Sequence, residues 1–138
     1  MKPFRRTIRT ARHEAAHAVI AEAVGYRVSR VWLLAEDAGF TEHRHPILPD
    51  PLKRAMIAMA GHAAEMRWHR AKKTHVPAGD HRTVLAMGFR GRSLPTILML
   101  ARGAVEENAE AIDAVARELV KSDLTGRDVR RIMRGTAP

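Results

Sequence analysis

The sequence contains no cysteine. Disulfides are therefore excluded, and so is any zinc site built on thiolates; a metal in this chain must be held by histidine and carboxylate. Aromatic residues are scarce, with three Phe, two Trp and one Tyr in 138 residues, and abundant alanine favours helices. Long apolar runs are missing too, so no segment approaches the length that spans a bilayer. The moderately apolar stretch 15–24 follows a basic N-terminal stretch, but His13, Glu14, His17 and Glu22 deny it the clean apolar core of a signal peptide. These absences lead to the expectation of a soluble, cytoplasmic protein, its cysteine-free composition fitting a reducing compartment. Internal repeats, low-complexity segments and long linkers are absent, which points to one domain over 1–138.

Charge of one sign is in short supply. Fifteen acidic residues stand against twenty-four Lys and Arg, for a net charge of +9. The first twelve residues carry Lys2, Arg5, Arg6, Arg9 and Arg12 and nothing acidic. Further basic stretches run through Arg67, Arg70, Lys72, Lys73, Arg82, Arg90 and Arg92, and through Arg127, Arg130, Arg131 and Arg134. Such patches suit a solvated surface, an acidic partner or a nucleic acid. No nucleic-acid motif or aromatic stacking pair accompanies them in the sequence, so a nucleic-acid partner is not the expectation.

What is present reads as α+β, mostly helical, with one small sheet. Thr7 or Thr10 caps a first helix that Gly25 ends. Val28–Ala35 has the composition of a strand, Glu36-Asp37-Ala38-Gly39 that of a turn, and Phe40–His43 that of a short second strand. His45–Pro51 is a proline-rich loop. Asp50 followed by Pro51 starts a helix running to about His69, whose Leu52, Met56, Ile57, Met59 and Ala63 read as core packing. Trp32 and Trp68 are expected in packing roles as well. Ala71–Gly79 reads as a loop, and a short helix follows from about Asp80 to Gly88–Gly91. Ser93 and Pro95 open one long helix to about Lys121, and Thr125 opens a last one ending near Met133.

His13-Glu14-Ala15-Ala16-His17 carries the chemistry. On a helix, histidines four apart point the same way, so both imidazoles can reach one zinc ion. Glu14 lies about 100° round, able to touch a zinc-bound water without being a ligand. That arrangement suits a metallopeptidase, yet HExxH alone is only moderately specific. A zinc site of this kind needs a third protein ligand. The extended motif with Gly and His further along is excluded, because Ile20 and Ala23 occupy those positions. Asp80 and Glu65 both remain as carboxylate candidates, and spacing does not dismiss His62, His69, His75 or His81.

Several segments together resemble the peptidase domain of the FtsH-type ATP-dependent zinc metalloproteases. Ala11–Ala21 is similar to that family's His-Glu-x-Gly-His-Ala helix, with Ala16 in place of the glycine. Val28–Leu34 and Ala38-Gly39-Phe40-Thr41 resemble its strand and the Leu-Gly-Tyr-Thr-like continuation. Gly61-His62-Ala63-Ala64-Glu65 resembles its Gly-Arg-Ala-Ala-Glu helix, with His62 replacing Arg. Gly79-Asp80 stands where the family has Asn-Asp, and Leu119–Val129 resembles its closing segment.

The resemblance implies a zincin-like metallopeptidase domain. It implies His13, His17 and Asp80 as zinc ligands, Glu14 as general base, and Glu65 as a carboxylate that orients a ligand histidine. A polypeptide substrate, unfolded or extended, is expected along an exposed edge of the Val28–Ala35 strand, touching Val31, Trp32, Leu33 and Leu34. The chain has no Walker motif, so ATP-driven unfolding is not implied: the protein cuts already unfolded chains, depends on a partner such as a separate ATPase, or no longer cuts, and the basic patches leave room for an acidic partner. The alternative expectation is a non-catalytic module that binds peptide or a partner on the same fold.

Overall fold

The computed structural model describes residues 3–44, 46, 50–71, 78–89 and 93–137. Helix α1 (Ile8–Ala23) begins where the Thr7 side chain accepts a hydrogen bond from Thr10 N. It stops at Gly25, whose φ of +95° is a left-handed conformation that a side chain would strain. Ala11, Ala15 and Ala18 are fully buried along α1. Their small side chains let other elements pack close on several sides, which makes α1 the central element.

A hairpin follows, formed by β1 (Arg27–Ala35) and β2 (Ala38–Arg44) around the Glu36-Asp37 turn. The pairing sets Val31 opposite Thr41, Trp32 opposite Phe40 and Leu33 opposite Gly39. Helix α2 (Pro51–His69) starts as its Asp50-Pro51 pair dictates, with the Asp50 carboxylate accepting from Leu52 N at 2.9 Å and Lys53 N at 3.3 Å. Ile57, Met59 and Ala63 of its apolar stripe are buried, whereas Leu52 at the first turn is exposed. Helix α3 (Ala78–Ala86) carries Asp80 in its first turn. Residues 45 and 47–49 of the proline-rich loop, 72–77 of the 71–79 loop, and 90–91 at the expected stop of α3 lie outside the described residues.

The long helix expected from Ser93 to Lys121 is two helices, α4 (Ser93–Glu107) and α5 (Ala109–Lys121). Asn108 makes the break. Its side-chain amide donates to Ala104 O at 2.8 Å, and its backbone sits at φ −111°, ψ 16°. An asparagine side chain that competes for a helix carbonyl in this way turns the chain out of register. The change of direction lets α4 pack on α2 while α5 packs on α1.

Strand β3 (Leu124–Thr125) and helix α6 (Gly126–Thr136) complete the fold. Thr125 and Asp128 form a reciprocal capping box: Asp128 N donates to the Thr125 hydroxyl at 3.1 Å, and Thr125 N to the Asp128 carboxylate at 2.9 Å. The sheet order is β2-β1-β3, all antiparallel. The chain is thus mostly helical with a small three-stranded sheet, an α+β arrangement, and the buried side chains form one contiguous core.

This topology corrects one expectation. β1 is the middle strand, so among the described residues the Val28–Ala35 strand has a partner strand on both sides rather than a free edge for a substrate. β2 pairs along one side, while β3 pairs with Arg30 and Val31 on the other, where Asp123 also takes the Leu33 N–H at 3.2 Å. Among the described residues β2 and β3 each lack a second partner, and β2 is the longer of the two edges, seven residues against two. No helix among those residues is long and apolar enough to cross a membrane.

Candidate metal centre and cleft

Helical spacing brings His13 and His17 together on α1, their ring centroids 4.8 Å apart at an interplanar angle of 74°. Each ring is pinned at Nδ1 by α2, which runs antiparallel alongside. His13 Nδ1 meets Glu65 Oε2 at 3.1 Å, and His17 Nδ1 meets the Ile57 carbonyl at 2.6 Å. A carbonyl and a carboxylate can only accept, so the ring hydrogens belong on Nδ1. In the neutral rings both Nε2 atoms then present bare lone pairs to each other, 3.1 Å apart. Two such lone pairs repel unless a cation lies between them.

Asp80 closes the third side from α3. Its Oδ2 is 3.6 Å from His13 Nε2 and its Oδ1 is 3.9 Å from His17 Nε2. Oδ2 is buried and has no hydrogen-bond partner, a costly state for a carboxylate oxygen. Ligands about 2.0–2.1 Å from a tetrahedral metal stand roughly 3.3 Å from one another. The three donor separations of 3.1, 3.6 and 3.9 Å bracket that value. The chemistry of the donor set and the orphaned oxygen both fit a divalent cation.

Glu14 is the second carboxylate facing the histidines. It is only 6% exposed, and His13, Glu14 and His17 each offer an atom within 4.8 Å of the others, a group that could hold a metal ion. The two carboxylates differ in their partners. Thr41 Oγ1 on β2 reaches Glu14 Oε2 at 3.2 Å and the Glu14 carbonyl at 3.0 Å, whereas Asp80 Oδ2 has no hydrogen-bond partner. Glu65 is occupied differently again, accepting from Arg9 Nε at 2.8 Å through Oε1 while Oε2 holds His13. The His13 hydrogen bond and then Arg9 hold its carboxyl down to about 2, against the opposing effect of burial. Burial by itself disfavours a charged His13, but the Glu65 hydrogen bond and the Asp80 and Glu14 charges outweigh it, and the His13 pKa is raised.

Two glycines make room for this packing. A Cβ on Gly61 would stand 2.6 Å from Cδ2 and Cε1 of the His13 ring, and closer still to its Nε2. A Cβ on Gly39 would stand 2.6 Å from Glu14 Cγ and 2.9 Å from the Trp32 carbonyl. Gly39 and Thr41 set the position of the Glu14 side chain, and Gly61 that of the His13 ring. Sequence reasoning placed Gly39, Thr41 and Gly61 in similar segments and assigned none of them a role.

An open cleft runs over these groups. Its walls include Asp37 of the turn, β2 from Ala38 to Thr41, the α2 face bearing Arg54, Ile57 and Glu65, and Asp80 on α3. Of the residues expected to touch substrate, Val31 and Leu33 are buried in the core at 0% and 4% exposure. Trp32 and Leu34 alternate to the outer face of the sheet. There Trp32 stacks on Phe40 with centroids 5.0 Å apart, and the Arg30 guanidinium lies 4.3 Å over the indole. An aromatic pair therefore does accompany basic residues, although the sequence shows none, because it forms only across two strands. Phe40 alone of that pair also borders the cleft.

Two of the other histidines considered as ligands fall elsewhere. His62 is buried at 1% exposure on α2, and His69 lies 3.5 Å from an Arg12 nitrogen. Burial, then Arg12 and Arg9, lower the His69 pKa. His75 and the His81 side chain lie outside the described residues. No family model matches this chain, and no curated protein matches it in sequence.

Proposed function

We propose that the protein is a zinc-dependent endopeptidase acting on unfolded or extended polypeptides, with a zincin-like site of the FtsH-peptidase kind. The observation that carries this reading is the convergence of two bare Nε2 atoms with an orphaned, buried Asp80 oxygen, next to a buried Glu14 that is already satisfied by Thr41. His13 and His17 through Nε2, and Asp80 through its carboxylate, would hold the zinc. Bound there, zinc supplies a Lewis acid for the scissile carbonyl and for the attacking water.

The chain's own groups divide the remaining work. Glu65 and the Ile57 carbonyl fix the Nδ1 hydrogens, so the imidazoles cannot rotate away from the metal side. Glu14 Oε2 is held by the Thr41 hydroxyl, which leaves Oε1 to take a proton from the attacking water and deliver it to the departing amide nitrogen. An extended polypeptide can add to β2 as a further strand, its main chain bonding to the strand edge above Glu14.

The purified protein is expected to contain about one zinc per chain, and little or none after His17→Ala. Unfolded casein should be cut without ATP, and Glu14→Gln should abolish cutting while zinc stays bound. Zinc at full occupancy with no cleavage of any unfolded substrate would sink the endopeptidase reading in favour of a non-catalytic binding module.

A further inference from the structure

The charged groups along the cleft are not all used by the centre. Arg9 is paired with Glu65, and Glu14, Glu65 and Asp80 face or orient the histidines. Two charges remain. The Arg54 guanidinium and the Asp37 carboxylate both line the cleft, both are exposed, and neither side chain has a hydrogen-bond or ion-pair partner among the described residues.

These two stand at opposite ends. Thr10 Oγ1 donates to Glu36 O at 2.7 Å, which anchors the Asp37 turn over the start of α1, at the end where Arg9 meets Glu65. β2 then runs to His43, whose ring lies 5.7 Å from that of Tyr26. The Tyr26 hydroxyl bonds Asp50, the cap of α2, one helical turn before Arg54. On α2, Arg54 precedes the Ile57 that pins His17, and the far end is the Glu65 that pins His13. The Arg54-to-Glu65 stretch is about 16 Å of helix, the length of about five extended residues. The histidine pair lies between the two ends.

We infer that the cleft sorts polypeptides by the polarity of their charge: an acidic side chain N-terminal to the cut bond at Arg54, and a basic one C-terminal to it at Asp37. The direction follows from strand addition. Antiparallel pairing is the more stable kind, and β2 runs from the Asp37 end to the Arg54 end. An antiparallel guest therefore enters with its N-terminal part at Arg54. This inference rests on the peptidase reading for the position of the cut, but the charge preference can be read without it.

The test uses four internally quenched peptides, identical except for Glu or Lys at one position on each side of a central apolar bond. Cleavage is followed with the zinc-loaded protein, and binding with zinc-loaded Glu14→Gln by fluorescence anisotropy. The Glu-then-Lys peptide should exceed the Lys-then-Glu peptide by about tenfold at low ionic strength, since two exposed attractions become two repulsions. The difference should shrink toward none near 1 M salt. The double variant Arg54→Glu with Asp37→Lys should invert the order. Equal cleavage of all four peptides overturns the charge sorting and leaves the peptidase reading standing. Ordered binding without cleavage does the reverse, and absence of both binding and cleavage overturns both.

Discussion

Replacing Gly61 with alanine isolates the geometry of the metal centre from the stability of the fold. The new methyl carbon would stand 2.6 Å from two ring carbons of His13, where ordinary contact begins near 3.4 Å. The ring must therefore retreat by about 1 Å. It is not free to do so in place: Glu65 holds Nδ1, and the His17 ring packs against it with centroids 4.8 Å apart. A metal–nitrogen bond tolerates only about 0.2 Å of error, so a shift of that size removes His13 as a ligand.

The expected consequence is at least a 100-fold loss of zinc affinity, beyond the range for disturbing a residue that merely orients a ligand. Apo stability should change far less. Alanine gains about 0.5–1 kcal/mol over glycine inside a helix such as α2. Local overpacking costs about 1–3 kcal/mol, leaving a net loss of roughly 0–2.5 kcal/mol. Zinc affinity by competition with a chelator, and urea unfolding of the apo proteins, measure the two quantities. A Gly61→Ala protein that binds zinc as tightly as the wild type refutes the argument.

The two carboxylate candidates separate by degree: Asp80→Ala should remove stoichiometric zinc binding, whereas Glu65→Gln should weaken it by roughly 10–100-fold. Equal losses in a chelator competition would contradict the assignment. Thr41→Val frees Glu14 Oε2 and should lower kcat about 3–10-fold with zinc content unchanged, the size of one hydrogen bond; a fall in zinc content would show that Thr41 acts elsewhere. Thr125→Ala removes the cap of α6 and should destabilise the protein by about 1 kcal/mol in urea unfolding. Its partner Asp128 has a pKa lowered by the hydrogen bonds from Thr125. That contribution is fully present above the usual carboxylate range and fades as pH falls through the lower folded value. The stability difference between wild type and Asp128→Asn should therefore close on acidification, and a gap that stays constant down to pH 2 would count against it.

Much of the local structure was legible because single residues dictate it. Thr7, Gly25, Asp50-Pro51 and Thr125 mark helix ends through their own hydrogen bonds or backbone preferences, and each does so in the structure. The histidine pair was legible for the same reason, since four residues of helix determine its spacing. What sequence left open was long-range. Strand order depends on β3, two residues long and separated from β1 by 88 positions of chain, and no local pattern announces that β1 will lie in the middle. Asn108 was read through because helix propensity does not foresee a side chain bonding Ala104 O. Gly61 and Gly39 were visible as letters, but the close approaches they permit exist only once α1, α2 and β2 are packed.

The candidate ligands draw on unequal supports. His13 and His17 ride on the central helix, clasped by α2, α5 and the sheet. Asp80 arrives on α3, nine residues long, which rests chiefly on α2 and sinks the Val84 side chain fully into the core. With Asp80 as a ligand, the energy of binding zinc and the energy of docking α3 become one quantity. The cleft would then owe one of its walls to the metal, and zinc supply would set how long that wall stands.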